Sequence, residues 1–537
     1  MARIEIVNDG TVRECAEGAN LLAELLRASA FVDNPCNGTG VCGKCKVRIV
    51  DGEVSKVSAT EQKLLSREEL AQGIRLACMT CVSGDIQVEL LQKERKHKVL
   101  TEGYVPEFAR DEHDEGYGVA IDIGTTTVVT SLVELASGRE ITSASMINVQ
   151  KHFGLDVLTR ITYEYEHAEE GIEQLRCAIV DSVNDMLVQV CRDEGISTEE
   201  ILEIDIAANC TMMHMLLGTD ARSIGRSPYQ PAFLGAQKRS AGEIGLRAGM
   251  DNSALVYCLP QVSAFIGADI VAGAYVCELE KQNGNVLFID IGTNGEIVLS
   301  QKGRLLCCSC AAGPALEGMN ISCGMRAAEG AIEDVKITEH GVEFTCIDGK
   351  EPVGICGSGI LAVLKELIRT GLVRKNGAFV KKENIPEEDY RYPMLELDGR
   401  KRKFKMTERL RITQGDVRQV QLAKGAILSG FYALLKKAGR TMEDLDQVMI
   451  AGQFGAHLPA ESLIGTGILP KEVKDKLIYV GNSSKTGAYL ALMSGKAKQE
   501  MEELAHHMEY MELGATEGYE RLFADCLMFP DESEITE

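Results

Sequence analysis

The sequence predicts a small N-terminal α+β domain joined to a larger, internally duplicated α/β core. Three observations carry this. Four cysteines, Cys36, Cys42, Cys45 and Cys78, fall close together near the N-terminus. A charged stretch without periodicity follows over 93–116. Beyond it, the segment 119–127 returns 168 residues later as 287–295, each an apolar strand running into Asp-Ile-Gly-Thr. At 537 residues the chain has ample length for more than one core.

Taken in order, Arg3-Ile4-Glu5-Ile6-Val7 alternates as a strand, and Asn8-Asp9-Gly10 is a hairpin turn. Asn20 is placed to cap an amphipathic helix over 21–26. The loop C-N-G-T-G-V-C-G-K-C follows over 36–45, and strands are expected at 46–50 and 84–90. Thiolates converging from a C-x5-C-x2-C loop and one distant Cys can wrap a [2Fe–2S] cluster, although the plant-type loop is one residue shorter. Gly38, Gly40 and Gly43 suit a backbone that must fold closely around sulfurs. C-x2-C is also half of a zinc site. Three cysteines within ten residues fit zinc less well, and a second C-x2-C exists only as Cys78 and Cys81. The loop resembles the adrenodoxin-like branch of [2Fe–2S] ferredoxins. That resemblance implies a β-grasp fold for residues 1–95. It also implies that Cys36, Cys42 and Cys45 are joined as ligands by Cys78, just after a small apolar run, with Cys81 as the alternative.

Composition narrows the function class. A formal charge of −23 disfavours nonspecific nucleic-acid binding and anionic membrane surfaces. No secretory leader and no apolar run of membrane-spanning length is evident, so a cytoplasmic protein is expected. There, the 18 cysteines are expected to be thiols or metal ligands, in a host living with little oxygen. The stretch 96–116 reads as a solvated, flexible linker that lets the first domain swing.

The core divides into 117–285 and 286–537, each opening on its copy of the repeat. A strand-turn-strand containing Gly aims backbone N–H groups and Thr hydroxyls at phosphate oxygens, and its Asp can hold Mg²⁺ through water. The candidate phosphate residues are Gly124, Thr125, Thr126 and Thr127, then Gly292, Thr293, Asn294 and Gly295, with Asp122 and Asp290 at the ion. The pair resembles the phosphate loops of the acetate/sugar kinase, Hsp70 and actin (ASKHA) superfamily, in which two α/β subdomains close on ATP. The resemblance implies an adenosine turn after a later apolar strand. Residues 447–456 supply one, with Gly452, Gln453, Phe454 and Gly455 at the turn.

A [2Fe–2S] domain upstream of this ATPase core resembles the reductive activators of corrinoid-dependent enzymes. Further segments share that likeness: Cys310-Ala311-Ala312-Gly313-Pro314-Ala315-Leu316-Glu317-Gly318, Gly354-Ile355-Cys356-Gly357-Ser358-Gly359, Thr413-Gln414-Gly415-Asp416-Val417-Arg418, Gly481-Asn482-Ser483-Ser484 and Leu527-Met528-Phe529-Pro530. The resemblance implies ATP-dependent reduction of a corrinoid protein from Co(II) to Co(I), with [2Fe–2S], ATP and Mg²⁺ as cofactors. It implies a low-potential reductant as donor and a slow ATPase. Only Cys526 lies beyond Cys356, so a second cluster is not expected. The alternatives are ATP-gated electron delivery to a non-corrinoid enzyme and a non-catalytic nucleotide or redox sensor. The oligomeric state, homodimer included, stays open.

Other features read as structural. Cys307, Cys308 and Cys310 are expected to be buried thiols, and His214 a core histidine rather than a cobalt ligand. His457 reads as packing at a helix start, Ser358 as part of a tight turn, and the basic run 400–405 as a solvated hairpin. A helix over 417–438 shows ordinary core spacing, with Asp416, Gln421 and Lys424 as cleft candidates.

Overall fold

The structure, a computed structural model, describes residues 2–8, 10–28, 30, 32, 43–91, 104–112, 115–399, 401–452 and 458–531. The N-terminal strands Ala2–Ile6 and Thr11–Cys15 form the expected hairpin, and Ala2–Ile6 pairs parallel with Val82–Leu90. The sheet runs Thr11–Cys15, Ala2–Ile6, Val82–Leu90, Lys46–Val54, Ile74–Leu76. Helix Leu21–Arg27 buries Leu21, Leu22 and Leu25 against it, and Asn20 caps its start by accepting from the Ala23 N–H at 3.2 Å. This is the β-grasp arrangement.

The core holds two six-stranded sheets with one underlying order. The first runs Gln237–Ser240, Leu255–Cys258, Ile201–Ala208, Tyr117–Ile123, Thr127–Glu134, Arg139–Ile147. The second runs Leu477–Gly481, Gln447–Ala451, Asn285–Ile291, Gly295–Gln301, Arg304–Cys310, Glu509–Tyr510. In each, the strand ending in Asp-Ile lies between an antiparallel hairpin partner and a parallel strand. Those central strands are almost continuously buried, as strands covered on both faces must be. The duplication is therefore one of topology as well as sequence.

Two arrangements depart from the simplest reading of the sequence. Helices Ser483–Met493 and Gly495–His507, late in the chain, bury Leu490, Ala491, Ala497 and Met501 in the core of the first sheet. The chain then returns to the second sheet at Glu509–Tyr510, beside Arg304–Cys310. Residues 104–112, expected to be solvated linker, are tied to the core instead. The Tyr104 N–H donates to the Val480 carbonyl at 3.1 Å, and the Asp111 N–H to that of Met493 at 3.0 Å. Asp111 also accepts from the Gly495 N–H at 2.6 Å, and Phe108 meets Tyr489 edge-on at 6.0 Å. The run reads as polar, but its Pro106 and Phe108 supply enough apolar surface to hold it down.

Among the described residues, no helix is long and apolar enough to cross a membrane.

Candidate functional site

The thiol end of the site follows from one hairpin register. Lys46 pairs with Leu76 across antiparallel strands, so Cys45 falls opposite Ala77, the start of the turn that carries Cys78. The Ala77 N–H donates to the Cys45 carbonyl at 2.8 Å, and the two sulfurs lie 3.3 Å apart. Both cysteines are buried. That spacing is too long for a disulfide and suits two thiolates on one iron. A buried ion pair steadies the approach: Arg75 Nε and Nη2 donate to Glu61 at 2.8 and 3.0 Å, and Glu61 also accepts from the Leu76 N–H. Cys81 lies past the turn Ala77–Met79, bridged to Asn20, with its N–H donated to Ser55 Oγ at 3.0 Å. Cys36 and Cys42 fall outside the described residues.

The repeated Asp-Ile-Gly-Thr segments both turn as expected. The Gly124 N–H donates to the Thr127 carbonyl at 2.9 Å, and the Gly292 N–H to that of Asn294 at 3.0 Å. The hairpins face one another, and the hydroxyls of Thr126 and Thr293 bond across the cleft at 2.9 Å. Thr293 Oγ1 also donates to Glu317 at 2.6 Å. Asn148 Nδ2 donates to the Gly124 carbonyl at 2.9 Å, and Asn209 Nδ2 to Thr125 Oγ1 at 3.0 Å. Gly295 opens the strand after the second turn, opposite Cys310. Gly452 has φ 92°, and a Cβ there would come within 2.5 Å of Asp290 Oδ1, so the turn after strand Gln447–Ala451 opens on a position that admits only glycine. Gln453, Phe454, Gly455 and His457 lie outside the described residues.

Asp122 accepts from Asn482 Nδ2 at 3.0 Å and from Ser484 Oγ at 2.8 Å, both at the start of helix Ser483–Met493. Asp269 occupies the first turn of the corresponding helix of the first half, Ala268–Val276. Burial raises Asp269, and the charges of Asp290 and then Asp122 raise it further. Asp290 is pushed up to about 7 by burial and then by Asp122 and Glu317. Burial likewise drives Glu296 well above the usual carboxylate range, with Asp269 and Asp290 adding to it. Sequence patterns did not reveal Asp269, Glu296 or Glu317 as members of this group. Glu317, Asn482 and Ser484 stood in noted segments without a role.

These shifts have a direct consequence for stability. Asp290 rises in the folded state from an ordinary value of 3.8, so its contribution is full below that pH and is lost as pH climbs through about 7. Melting in chelator should therefore show Tm falling from pH 5 to pH 8, with a shallower slope in Asp290→Asn. An identical slope in the two proteins would refute this.

The remaining candidates resolve as structural. His214 is buried and stacked on Phe233, with Nδ1 facing the Cys210 carbonyl at 2.8 Å and Nε2 facing the Ala232 N–H at 3.1 Å. Cys307, Cys308 and Cys310 are buried in a strand, where burial pushes Cys307 up to about 12. Ser358 lies at the start of helix Gly357–Arg369. In the basic hairpin, Lys403 pairs with Asp398 at 2.8 Å, and Arg402 donates to the Phe379 carbonyl. Helix Gln414–Ala438 uses its cleft candidates structurally. Asp416 caps the helix and holds Ser322, Gln421 bonds the Leu527 carbonyl, and Lys424 is buried under the carbonyls of Cys526 and Met528. A last contact joins the two ends of the site: Lys44, beside Cys45, donates to the Gly324 carbonyl, on the segment that carries Glu317.

Comparison with known proteins agrees with this geometry. Residues 4–83 match the 2Fe-2S iron-sulfur cluster binding domain, 117–282 the RACo middle region, and 284–536 the C-terminal ASKHA domain of RACo. The chain is 33% identical over 413 residues to the corrinoid activation enzyme RamQ of Eubacterium limosum, covering 75% of this chain and 68% of that protein. It is 25% identical over 398 residues to the [Co(II) methylated amine-specific corrinoid protein] reductase of Methanosarcina barkeri, covering 68% of each. A solved reductive activator for corrinoid,iron-sulfur protein is similar over 99% of both chains, with 31% identity and a TM-score of 0.70.

Proposed function

The chain belongs to the RACo family of reductive activators of corrinoid proteins, and from that premise we propose that it reduces a corrinoid protein from Co(II) to Co(I) at the expense of ATP. Electrons from a low-potential reductant enter through the N-terminal domain. The [2Fe–2S] cluster supplies a one-electron carrier there, near about −400 mV if it is plant-type. Cys36, Cys42, Cys45 and Cys78 are its ligands in this reading; the meeting of the Cys45 and Cys78 sulfurs supports the last of them over Cys81.

If the cobalt acceptor lies about 100–200 mV lower, each electron costs roughly 2–5 kcal/mol, which a carrier alone does not supply. ATP can supply it only by binding one conformation of the protein better than another. The Thr126–Thr293 bond gives that argument a physical form. It lies between the hairpins where a polyphosphate would enter, so the bound and free states differ at this contact.

The residues then take these roles. Gly124, Thr125, Thr126 and Thr127 face Gly292, Thr293, Asn294 and Gly295 around the phosphates. Gly452, Gln453, Phe454 and Gly455 meet the nucleoside. Asp122 and Asp290 orient Mg²⁺ and water. Among the described residues no three His, Cys, Asp or Glu side chains are set to enclose a metal ion, which suits an ion held largely by phosphate and water. Asp269 joins Asp290 as a buried pair of which one carboxyl keeps its proton near neutral pH. The ionised partner is the group that takes a proton from the attacking water.

The observation that carries the reading is the joining of both ends in one chain through Lys44 and Gly324. The test mixes the reduced protein with a Co(II) corrinoid protein and follows Co(I) absorbance with and without MgATP. Reduction should depend on MgATP; an equal rate without it would refute the proposal.

A further inference from the structure

Behind the first phosphate hairpin lies an arginine whose burial the fold does not explain. Arg160 is fully buried, yet among the described residues its side chain donates only to neutral acceptors. Nε bonds the Gly154 carbonyl at 2.9 Å, and Nη2 the Thr125 carbonyl at 2.5 Å. Nη1 reaches Gln150 Oε1 at 3.3 Å and Met212 Sδ at 2.9 Å. Buried charges are normally paired, because an uncompensated one keeps most of its desolvation penalty. Arg160 also lies in the first turns of helix Val157–Glu194, whose N-terminal end already carries positive partial charge. Asp156, the helix cap, is the carboxylate whose field eases this, but it is engaged by the Thr159 N–H and hydroxyl. Among the described residues, a second cation, Arg326, also acts on Arg160 from the segment of the second half that carries Glu317. Two cations, one from each half of the core, thus act on one another here.

The groups around Arg160 are those that fix the phosphate hairpin. Gln150 Nε2 donates to the Leu175 carbonyl, which holds its Oε1 toward Arg160. Asn148, next to the same loop, holds the Gly124 carbonyl, while Arg160 holds that of Thr125. Two successive carbonyls of the hairpin are thus held by buried side chains of the first half. A held carbonyl sets its peptide plane, so the following N–H is turned the opposite way.

We propose that Arg160 is a positioning residue for nucleotide phosphate: a buried cation that fixes the Thr125 peptide and finds its counter-charge in the polyphosphate between the two hairpins. The inference rests on the nucleotide reading above and deepens it. Arg160 does not touch the nucleotide; it acts through Thr125 and through its field. It should therefore favour MgATP over adenosine, because adenosine carries no charge to answer.

The test measures the affinity of the cluster-loaded, full-length protein for MgATP and for adenosine in wild type, Arg160→Gln and Arg160→Lys. Arg160→Gln should bind MgATP more weakly by on the order of tenfold or more while its affinity for adenosine changes little. Arg160→Lys, which keeps the charge and loses the fork, should recover part of the difference. Equal loss of both ligands, or of neither, would overturn the inference. A wild type that does not distinguish MgATP from adenosine would instead overturn the nucleotide reading beneath it. Hydrogen exchange on the wild type provides a test that needs no variant. Amides across 148–160 should slow with MgATP and not with adenosine; unchanged exchange there with MgATP would also overturn the proposal.

Discussion

Cys78→Ser should remove the visible absorption of the [2Fe–2S] cluster almost entirely, while Cys81→Ser leaves it in place. The two cysteines are three residues apart and both belong to a C-x2-C, so spacing alone does not separate them. Register does. The Lys46–Leu76 pair sets Cys45 opposite Ala77, at the start of the turn that carries Cys78, and Asn20 Nδ2 and Thr80 Oγ1 hold that turn through the carbonyls of Cys78 and Leu76. Bringing Cys81 to the same place would require breaking its bridge to Asn20 and its bond to Ser55. Serine is a poor substitute for a thiolate on iron, so loss of one of four ligands leaves the cluster unstable. Iron content, the visible spectrum and the EPR signal of the reduced protein measure the outcome. Corrinoid reduction by Cys78→Ser should fall to background, whereas MgATP affinity should hold, because the phosphate hairpins stand on different sheets. A cluster that survives Cys78→Ser and is lost in Cys81→Ser would reverse the assignment.

The contrast between Cys78 and Arg160 shows what the sequence could convey. Features built by one stretch of chain were legible: the hairpin turn at Asn8, the cap at Asn20, and the Asp-Ile-Gly-Thr turns, where strand, glycine and hydroxyl all lie within a few residues. Features built between distant stretches were not. Asp122 is held by Asn482 and Ser484, some 360 residues away, and no local pattern marks that meeting. Asp269 and Arg160 lie near the starts of helices, where a single charged residue ordinarily faces water. Their importance comes from what the helix start is packed against. The same holds for 104–112, whose charges suggested a free linker although one aromatic side chain and a few backbone bonds settle it on the core. That docking takes 104–112 out of any free connection between the two parts of the chain.

Asp290→Asn should yield a protein that is more stable and far less active. The substitution keeps shape and removes one charge from a buried group in which Asp122 raises Asp290 and Asp269, and Asp290 raises Asp269 and Glu296. Without a bound cation, that repulsion opposes folding, so Tm at pH 8 should rise in the variant. Hydrolysis needs the same charge, both to orient Mg²⁺ with its water and to accept the water's proton, since Asp290, raised less than Asp269, is the ionised partner of the pair. Its loss should lower ATP turnover by about 10²–10⁴-fold, the range for removing a general base. Asp122→Asn is expected to behave differently. Asp122 is already bonded by Asn482 and Ser484, so an amide there would exchange two bonds to a carboxylate for neutral ones, its oxygen accepting from Asn482 and its N–H donating to Ser484. That variant should lose activity without gaining stability. If ATP-driven conformational change drives the uphill electron transfer, Asp290→Asn should keep its cluster spectrum and yet reduce Co(II) only as fast as wild type does without ATP. Normal turnover in Asp290→Asn, or a fall in its Tm at pH 8, would show that the raised carboxylates are structural and that the catalytic group lies elsewhere.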